Sequence, residues 1–229
     1  CLTMYSKPGD RSCGINNIHF NGLGDKFVAC DTSGVVRLWK FGSNPNCLNW
    51  YEYIDTGLQT VKDTRFLNSG SGIALGGSSS PNDKRLNGSF QLWDTLLPPS
   101  ARKLCSYGQK LDHGACNSLL YLPDEELLIC GYGSGKLMAF DIRQRCMLGL
   151  ESFSKKLCHK ASVTDIAYSP NHNVFSTASS DGCIKLWDSH TLNLKHTYEN
   201  VHDSITKISF HGNNMYSSGL DGRMVMHSL

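Results

Sequence analysis

The stretch of residues 159–188, HKASVTDIAYSPNHNVFSTASSDGCIKLWD, decides the fold. VTDIAYS alternates polar and apolar residues, which is the two-residue period of a half-buried strand. SPNHN then reads as a turn, VFSTAS as a second strand and CIKLWD as a third. Asp181-Gly182 between the last two is a strong hairpin signal, because glycine tolerates the positive φ that tight turns need. The stretch therefore predicts three consecutive antiparallel strands.

Four other stretches repeat this unit around a small-residue turn and a third strand. They are FVACDTSGVVRLWK (27–40), IALGGSSSPNDKRLNGSFQLWD (73–94), LLICGYGSGKLMAFD (127–141) and MYSSGLDGRMVMHS (215–228). One position near the end of the third strand is aromatic in four of the five copies, and it is occupied by Trp39, Trp93, Phe140, Trp187 and His227. Its spacings of 54, 47, 47 and 40 residues indicate an internal repeat.

An alternating strand candidate precedes every copy, and a fourth candidate follows most of them. The preceding candidates are residues 15–21, 60–67, 116–122, 163–169 and 205–210, and the following ones include residues 48–54 and 194–200. Four short strands per repeat are typical of one blade of a β-propeller. No segment shows sustained helical periodicity. The sequence therefore predicts an all-β propeller of five blades, with third strands near 35–40, 89–94, 136–141, 183–188 and 223–228.

Composition excludes several classes of function. The 229 residues carry a net charge of +2, so electrostatics alone favours neither nucleic acid nor a membrane surface. No apolar run approaches the roughly 20 residues of a membrane span. The ten cysteines are scattered without the spacing of a zinc site. We expect free thiols in a reducing compartment and no metal.

No catalytic motif is present. The stretch GYGSGK (131–136) is similar to a phosphate-binding loop, but that motif needs glycine at Cys130 and a hydroxyl residue at Leu137. It also lies between two strands, so no helix amino-terminus is available to bind phosphate. The GxSxG and HExxH patterns are absent. We expect no catalytic residue and no cofactor.

The run SDGCIKLWD (180–188), with a histidine upstream, resembles the signature of the WD-repeat family. In that family a structural network joins a tryptophan, a serine or threonine, a histidine and an aspartate within one blade. The resemblance assigns these roles to Trp187, Thr177, His159 and Asp181. It also implies the seven-bladed ring of many such proteins, of which five blades are visible here.

The other repeats depart from this signature. Phe140 replaces the tryptophan in the third repeat, and His227 replaces it in the fifth. The first and second repeats lack the upstream histidine. We therefore expect the full network in the fourth repeat alone, with the others relying on packing.

A more specific resemblance covers nearly the whole chain. LWDTLLPPSARKL (92–104), FDIRQR (140–145), SSGLDGRMVM (217–226) and the opening residues 1–34 are similar to the carboxy-terminal propeller of the DmX-like (rabconnectin) family. Members of that family are very large cytosolic scaffolds, and they resemble the subunit of the RAVE-type complex that promotes assembly of the vacuolar proton-pumping ATPase. Departures at the inserted residues 76–87 and at 151–158 affect any shared partner surface.

This resemblance implies a non-catalytic protein–protein scaffold, cytoplasmic and peripheral to endomembranes or vesicles. Its partners would be soluble-sector ATPase subunits and other RAVE-type subunits, with no nucleic acid and with membranes reached only through partners. Residues 1–229 would be the carboxy-terminal part of a longer protein, with two blades upstream. Alone, these residues would aggregate, because an unclosed arc of blades exposes its apolar flanks.

Two loop surfaces are candidates for partner binding. Loops between the second and third strands emerge at the same end of each blade as the connections between blades. On that end we expect a basic rim for an acidic protein surface, formed by Lys84, Arg85, Lys155, Lys156 and Lys160. The opposite end presents Arg143, Gln144 and Arg145, and arginine is favoured as an interface anchor because its planar fork binds carboxylates. The sequence ranks these two surfaces equally.

Other functions are compatible with a propeller. A substrate adaptor of a ubiquitin ligase would use the same loop surfaces for a different partner. An RNA-associated scaffold would need a basic stripe with interleaved aromatic residues, which the sequence lacks. A propeller hydrolase would need acid and base residues clustered around the central channel, and the sequence shows none.

Overall fold

The computed structural model describes residues 14–42, 48–67, 70–79, 90–98, 100–107, 113–148 and 158–229, with the backbone alone for residues 48–51. The described residues form five antiparallel sheets, each with its strands in sequence order. The all-β prediction is confirmed. The chain divides into two compact units, of which residues 1–111 contain sheets 1 and 2 and residues 112–229 contain sheets 3 to 5.

In the first unit, sheet 1 consists of β1 (Ile15–Phe20), β2 (Lys26–Asp31), β3 (Val35–Phe41) and β4 (Leu48–Asp55). Sheet 2 consists of β5 (Thr60–Phe66), β6 (Gly72–Ser78), β7 (Phe90–Asp94) and β8 (Lys103–Tyr107).

In the second unit, sheet 3 consists of β9 (Cys116–Leu122), β10 (Leu127–Tyr132), β11 (Leu137–Asp141) and β12 (Cys146–Leu148). Sheet 4 consists of β13 (Val163–Ser169), β14 (Val174–Ser179), β15 (Ile184–Asp188) and β16 (Leu194–Tyr198), and sheet 5 of β17 (Ile205–His211), β18 (Asn214–Gly219) and β19 (Met224–Ser228).

Strand boundaries follow the predicted ones within one or two residues. β9 and β13 have the predicted bounds, whereas β16 ends two residues early. Asn200, just beyond β16, has a φ of 54°, a left-handed conformation that a strand does not contain. The predicted turn at 169–173 contains a short 3-10 turn, Pro170–His172, and ends at Asn173 with a φ of 51°.

The first two strands of every sheet pair with an irregularity in register at the same place. The paired residues shift at Ile15/Asn17, Val61/Asp63, Gly131/Tyr132, Val163/Asp165 and Ile205/Lys207. A bulge inserts one residue and strengthens the local twist, which redirects the side chains that follow. The repeat is therefore conserved in backbone geometry even where its side chains have diverged.

Each unit has its core between the faces of neighbouring sheets. In the first unit the core joins sheets 1 and 2, with Val28, Leu38, Ile73 and Leu75 fully buried. In the second unit one cluster joins sheets 3 and 4, and another joins sheets 4 and 5. Trp187 is fully buried and stacks on Phe175, with ring centroids 6.1 Å apart. Within the described ranges, no helix has the length and hydropathy of a membrane span.

The seven cysteines in the described part of the chain are all free. Cys30, Cys116, Cys130 and Cys158 are buried, as expected of thiols that pack as small apolar side chains. No group of histidine, cysteine and acidic side chains that could hold a metal ion occurs among the described residues.

Candidate functional site

The four residues assigned to a structural network lie together in sheet 4. Nε2 of His159 is 2.8 Å from Oγ1 of Thr177, and the indole N–H of Trp187 donates to the same oxygen at 3.0 Å. Nδ1 of His159 is 3.3 Å from the Asp181 carboxylate. Because the Thr177 oxygen accepts from the indole, its own proton can be donated to Nε2, so Nδ1 carries the imidazole proton toward Asp181. Every polar atom of the network then has a partner.

Asp181 also organises the backbone around it. Its carboxylate accepts the backbone N–H of Lys160 at 2.8 Å and that of Cys183 at 3.0 Å. Burial alone would raise the pKa of Asp181, but the hydrogen bonds from His159 and from these two amides hold it well below its ordinary value. The carboxylate therefore stabilises the fold above about pH 4, and that contribution is lost as the pH falls further.

Sheet 5 contains a second network of the same geometry. Nδ1 of His202 lies 2.9 Å from the Asp221 carboxylate, and its Nε2 lies 3.0 Å from Oγ of Ser217. Nε2 of His227 approaches the same hydroxyl at 3.4 Å, in the place where sheet 4 has its tryptophan. The prediction that the fifth repeat relies on packing alone is wrong, because an imidazole N–H can replace the indole N–H as a donor.

The second repeat also departs from the prediction of packing alone. The indole N–H of Trp93 donates to the side-chain oxygen of Gln91 at 2.9 Å, and the Gln91 amide donates to the carbonyl of Thr56 at 3.2 Å. A buried indole N–H needs an acceptor, and Gln91 supplies it without a histidine. In sheet 3, Phe140 occupies the position of this tryptophan. Its side chain is fully buried and has no N–H that needs an acceptor.

The atoms of the sheet 5 network match the spacing of a Ser-His-Asp nucleophile system. Ser217 is only 1% exposed, however, and its hydroxyl is already engaged by both His202 and His227. In sheet 4 the corresponding hydroxyl belongs to Thr177, which is equally buried and engaged. A substrate could not reach either oxygen, so the arrangement acts as a structural clamp within each sheet.

Two asparagines that sequence analysis missed connect neighbouring sheets. Nδ2 of Asn16 in β1 donates to the carbonyl of Val61 in β5 at 2.6 Å. Nδ2 of Asn117, at the same position of β9, donates to the carbonyl of Val163 in β13 at 3.2 Å. Both are the second residue of a first strand, and both acceptors precede the bulge of the next sheet. Their shared position in the repeat was the only sequence signal available.

A histidine also lies at the junction of sheets 1 and 2. Nδ1 of His19 accepts the backbone N–H of Phe66 at 3.3 Å, and the two rings are 6.1 Å apart. Burial, together with the nearby positive charge of Arg65, lowers the pKa of His19 to about 4. A protonated imidazole has no acceptor nitrogen, so this hydrogen bond exists only in the neutral form.

We expect this junction to weaken in mild acid. Because the pKa of His19 is about 4 in the folded state and 6.5 as an ordinary value, its stabilising contribution is present above pH 6.5 and lost as the pH falls toward 4. The loss should be on the order of 2 kcal/mol in the free energy of unfolding. The measurement is urea denaturation at several pH values between these limits.

The variant His19→Asn places an amide oxygen where Nδ1 lies, and should show a flatter pH dependence than the wild type. His211→Asn, at an exposed position of β17, is the matched control and should follow the wild type. Parallel pH profiles for all three proteins would exclude His19 as the source of the acid sensitivity.

The structure describes only part of the predicted basic rim. Lys84, Arg85, Lys155 and Lys156 lie outside the described residues. Lys160 is exposed, and its backbone N–H donates to the Asp181 carboxylate.

The predicted arginine turn connects β11 and β12. Nε of Arg143 is 3.6 Å from the Glu126 carboxylate, although the Arg143 side chain is 66% exposed. The backbone N–H of Gln144 donates to Asp141 at 2.8 Å, and Arg145 has a φ of 52° in the left-handed region. The turn is therefore held in a defined shape, with Arg143 directed toward an acidic neighbour.

Opposite charges are paired across this end of sheets 3 and 4. Besides Arg143 and Glu126, Nδ1 of His190 lies 2.5 Å from Glu125, and Nζ of Lys195 lies 2.9 Å from Asp188. The hydrogen bond that Glu125 accepts from His190 raises the pKa of His190, so the pair is charge-assisted as the pH falls. Exposed pairs of this kind contribute little stability, but they neutralise the surface on which they lie.

Comparison with known proteins shows what this chain is similar to. Residues 151–188 match the family described as WD domain, G-beta repeat. The chain is 34% identical, over an alignment of 248 residues that includes all of it, to DmX-like protein 1 of Mus musculus. The human DmX-like protein 1 is 32% identical over the same extent. The chain spans 8% of the length of these two relatives.

Solved structures show the same fold. Sqt1 of Saccharomyces cerevisiae superposes with a TM-score of 0.70 at 16% identity, over 93% of this chain and 59% of that one. The computationally designed protein Ika8 superposes with a TM-score of 0.67 at 19% identity, over 94% of this chain and 58% of that one. At these identities the likeness concerns the fold alone. The chain therefore has the β-propeller type of fold, contains one stretch that matches the WD domain, G-beta repeat family, and is similar along its whole length to DmX-like protein 1.

Proposed function

We propose that this chain is a non-catalytic module that docks other proteins. In the clamps of sheets 4 and 5, the buried His159 and His202 are each engaged by one hydroxyl and one carboxylate. The turns at both ends of the sheets present charged side chains to solvent, and turns on a rigid scaffold are the usual carriers of binding. A fold alone does not determine function, so the proposal depends on these surfaces.

The partner complex in this proposal regulates assembly of the vacuolar proton-pumping ATPase. The observation that carries it is the 34% identity to DmX-like protein 1 along the entire chain. The partners would be soluble-sector ATPase subunits and other subunits of a RAVE-type complex. The protein would act in the cytoplasm, peripheral to endomembranes or vesicles, and would reach the membrane only through these partners.

The test is affinity capture of the full-length polypeptide that contains this chain, from native cytosol and membranes, with partners quantified by mass spectrometry. The comparison is a version that lacks only this chain. We expect soluble-sector ATPase subunits with the intact protein and at least tenfold fewer with the truncated one, a difference of about 1.4 kcal/mol in binding. Equal recovery, or recovery of ubiquitin-ligase subunits in their place, would refute the assembly role.

Charge reversal separates the two predicted surfaces in the same experiment. One variant reverses Lys84 and Arg85 on the basic rim, and the other reverses Arg143 and Arg145 on the opposite end. Because Arg143 already faces Glu126, the second variant should have the smaller effect on capture. Selective loss with the Arg143 and Arg145 variant would instead assign docking to the arginine turn.

A further inference from the structure

Lys136 and Lys160 lie at one junction between sheets 3 and 4. The backbone N–H of His159 donates to the carbonyl of Gly135 at 3.1 Å, so the turn before β11 contacts the connection that leads into β13. The contact is close: a Cβ atom added to Gly135 would lie 2.3 Å from the His159 carbonyl oxygen. Lys136 and Lys160 each directly follow one residue of this pair in sequence.

Lys185 belongs to the same junction. In the pairing of β14 with β15 it is the partner of Thr177, whose hydroxyl binds His159. Burial raises the pKa of the Cys158 thiol, and this rise is opposed by a hydrogen bond with the backbone of Leu137 and by the positive charges of Lys185 and Lys136. Both ammonium groups therefore lie close enough to affect the same thiol, that of Cys158, which directly precedes His159 in sequence. Lys136, Lys160 and Lys185 are called the lysine cluster below.

The positive charge of the lysine cluster is not compensated within the described ranges. None of its three side chains forms an ion pair there. The acidic group at this junction, Asp181, has both oxygens engaged: one by His159 and the backbone of Lys160, the other by the backbone of Cys183. Asp181 therefore stabilises the fold and forms no ion pair with these lysines. The arginine-turn end of the same two sheets, in contrast, pairs its cations with acidic neighbours.

We propose that the lysine cluster is a docking surface for an acidic segment of a partner protein. The proposal rests on the proposed docking function and specifies its partner chemistry and location. An extended segment with a few carboxylates would complement three ammonium groups on flexible stems, whose apolar parts pack on the protein while the charges stay in water. Sequence analysis had found only Lys160 of this set, because Lys136 and Lys185 lie inside strand patterns.

A protein segment fits these groups better than a nucleic acid does. Single-stranded nucleic acids bind along a basic groove with aromatic side chains on which bases stack. Tyr132, whose backbone N–H donates to the carbonyl of Lys136, is 3% exposed and unavailable for stacking. With a net charge of only +2, the chain also lacks the general positive field of a polyanion-binding protein.

The experiment measures fluorescence anisotropy of a labelled glutamate–glycine peptide with the full-length polypeptide that contains this chain. A glutamine–glycine peptide of equal length is the uncharged probe. The first variant carries Lys136→Gln, Lys160→Gln and Lys185→Gln, which remove charge and keep much of each stem. The matched control carries Arg143→Gln, Arg145→Gln and Lys195→Gln, which remove the same charge from the arginine-turn end. Thermal melting verifies that both variants fold.

We expect the lysine variant to bind the acidic peptide about tenfold more weakly than the wild type, since it loses three partly exposed charge pairs. The control should change affinity less than twofold, and higher salt should weaken wild-type binding. Equal losses in both variants, or none in the lysine variant, would overturn the proposal. So would equally tight binding of single-stranded RNA or of phosphatidylserine vesicles, since this would indicate unselective attraction of polyanions.

Affinity capture distinguishes this proposal from the docking function on which it rests. If capture of partners requires the chain but is unchanged in the lysine variant, the docking function stands and the lysine cluster is excluded as its site. If the full-length protein and the version without this chain capture the same partners equally, the docking function fails. The peptide titration then decides whether the lysine cluster binds acidic segments.

Discussion

Replacing Trp187 with alanine should lower the free energy of unfolding of sheet 4 by about 3–5 kcal/mol, the usual effect of removing a large buried aromatic side chain. Trp187 is completely buried, stacks on Phe175 and donates its indole N–H to Thr177. The variant therefore loses apolar contact and one member of the network with His159. Hydrogen exchange of the amides in β14 and β15 measures the effect locally.

The variant Trp187→Phe separates the contribution of the buried ring from that of the indole hydrogen bond. It keeps most of the ring, as Phe140 does at the corresponding position of sheet 3, but it removes the indole N–H. We expect a loss of about 1–2 kcal/mol, because Thr177 loses a donor while its bond to His159 remains. An alanine variant no less stable than the phenylalanine variant would show that the stacked ring contributes nothing, contrary to its burial.

Gly182→Ala should lower the free energy of unfolding by about 3 kcal/mol or more. Gly182 has a φ of 79°, which costs an L-residue about 1–2 kcal/mol. An added Cβ atom would also lie 2.2 Å from the carbonyl oxygen of His202, on the connection into sheet 5. Relieving that overlap requires the backbone of one sheet to move away from the next, at a further cost of about 1–3 kcal/mol.

Gly222→Ala is the matched control for this substitution. Gly222 occupies the same turn position in sheet 5 with a φ of 72°, but an added Cβ atom would meet nothing within 4 Å. With no further sheet packed against this turn, we expect only the conformational cost, about 1–2 kcal/mol. Denaturation or hydrogen exchange of the two variants in parallel measures the difference, and equal costs would show that the overlap at Gly182 is relieved without loss.

The same control tests the proposed seven-bladed ring. We propose that further sheets from a longer polypeptide cover the apolar side chains that sheets 1 and 5 expose, among them Phe20 at 52% and Met226 at 60% exposure. In the full-length protein a sheet packed on sheet 5 as sheet 5 packs on sheet 4 would contact the turn at Gly222. Gly222→Ala would then cost as much there as Gly182→Ala. A cost of only about 1–2 kcal/mol in the full-length protein would contradict ring closure at this sheet.

Local patterns in the sequence were sufficient to predict the strands and the first network. Alternation of apolar residues and the Asp181-Gly182 turn concern neighbours along the chain, so their physics can be read without tertiary contacts. The WD signature likewise identified His159, Thr177 and Asp181, because all lie within one repeat. The spacing of the aromatic slots identified five repeats, and the structure has one sheet for each.

The sequence did not predict the hydrogen-bond networks in which another residue type replaces a member of the signature. Gln91 satisfies Trp93 while it reaches back 35 residues to Thr56, and nothing in the repeat signature marks that exchange. His227 could be recognised as a departure from tryptophan, but not as a functional replacement for it, until its position beside Ser217 was known. A hydrogen bond can be satisfied by several residue types, so the signature shows where a network is expected and not how a divergent copy replaces it.

The sequence by itself determined that this protein is an all-β chain of five repeats with one complete His159 network. Only the tertiary structure showed that the arginine-turn end pairs its cations with acidic neighbours, whereas Lys136, Lys160 and Lys185 form no ion pair among the described residues. The two candidate ends look alike as strings of lysine and arginine, but Glu125 and His190 are 65 residues apart in sequence and pair across two sheets. Charge compensation depends on distances of a few ångströms in space, because screening by water and salt weakens longer interactions. Sequence separation does not record those distances.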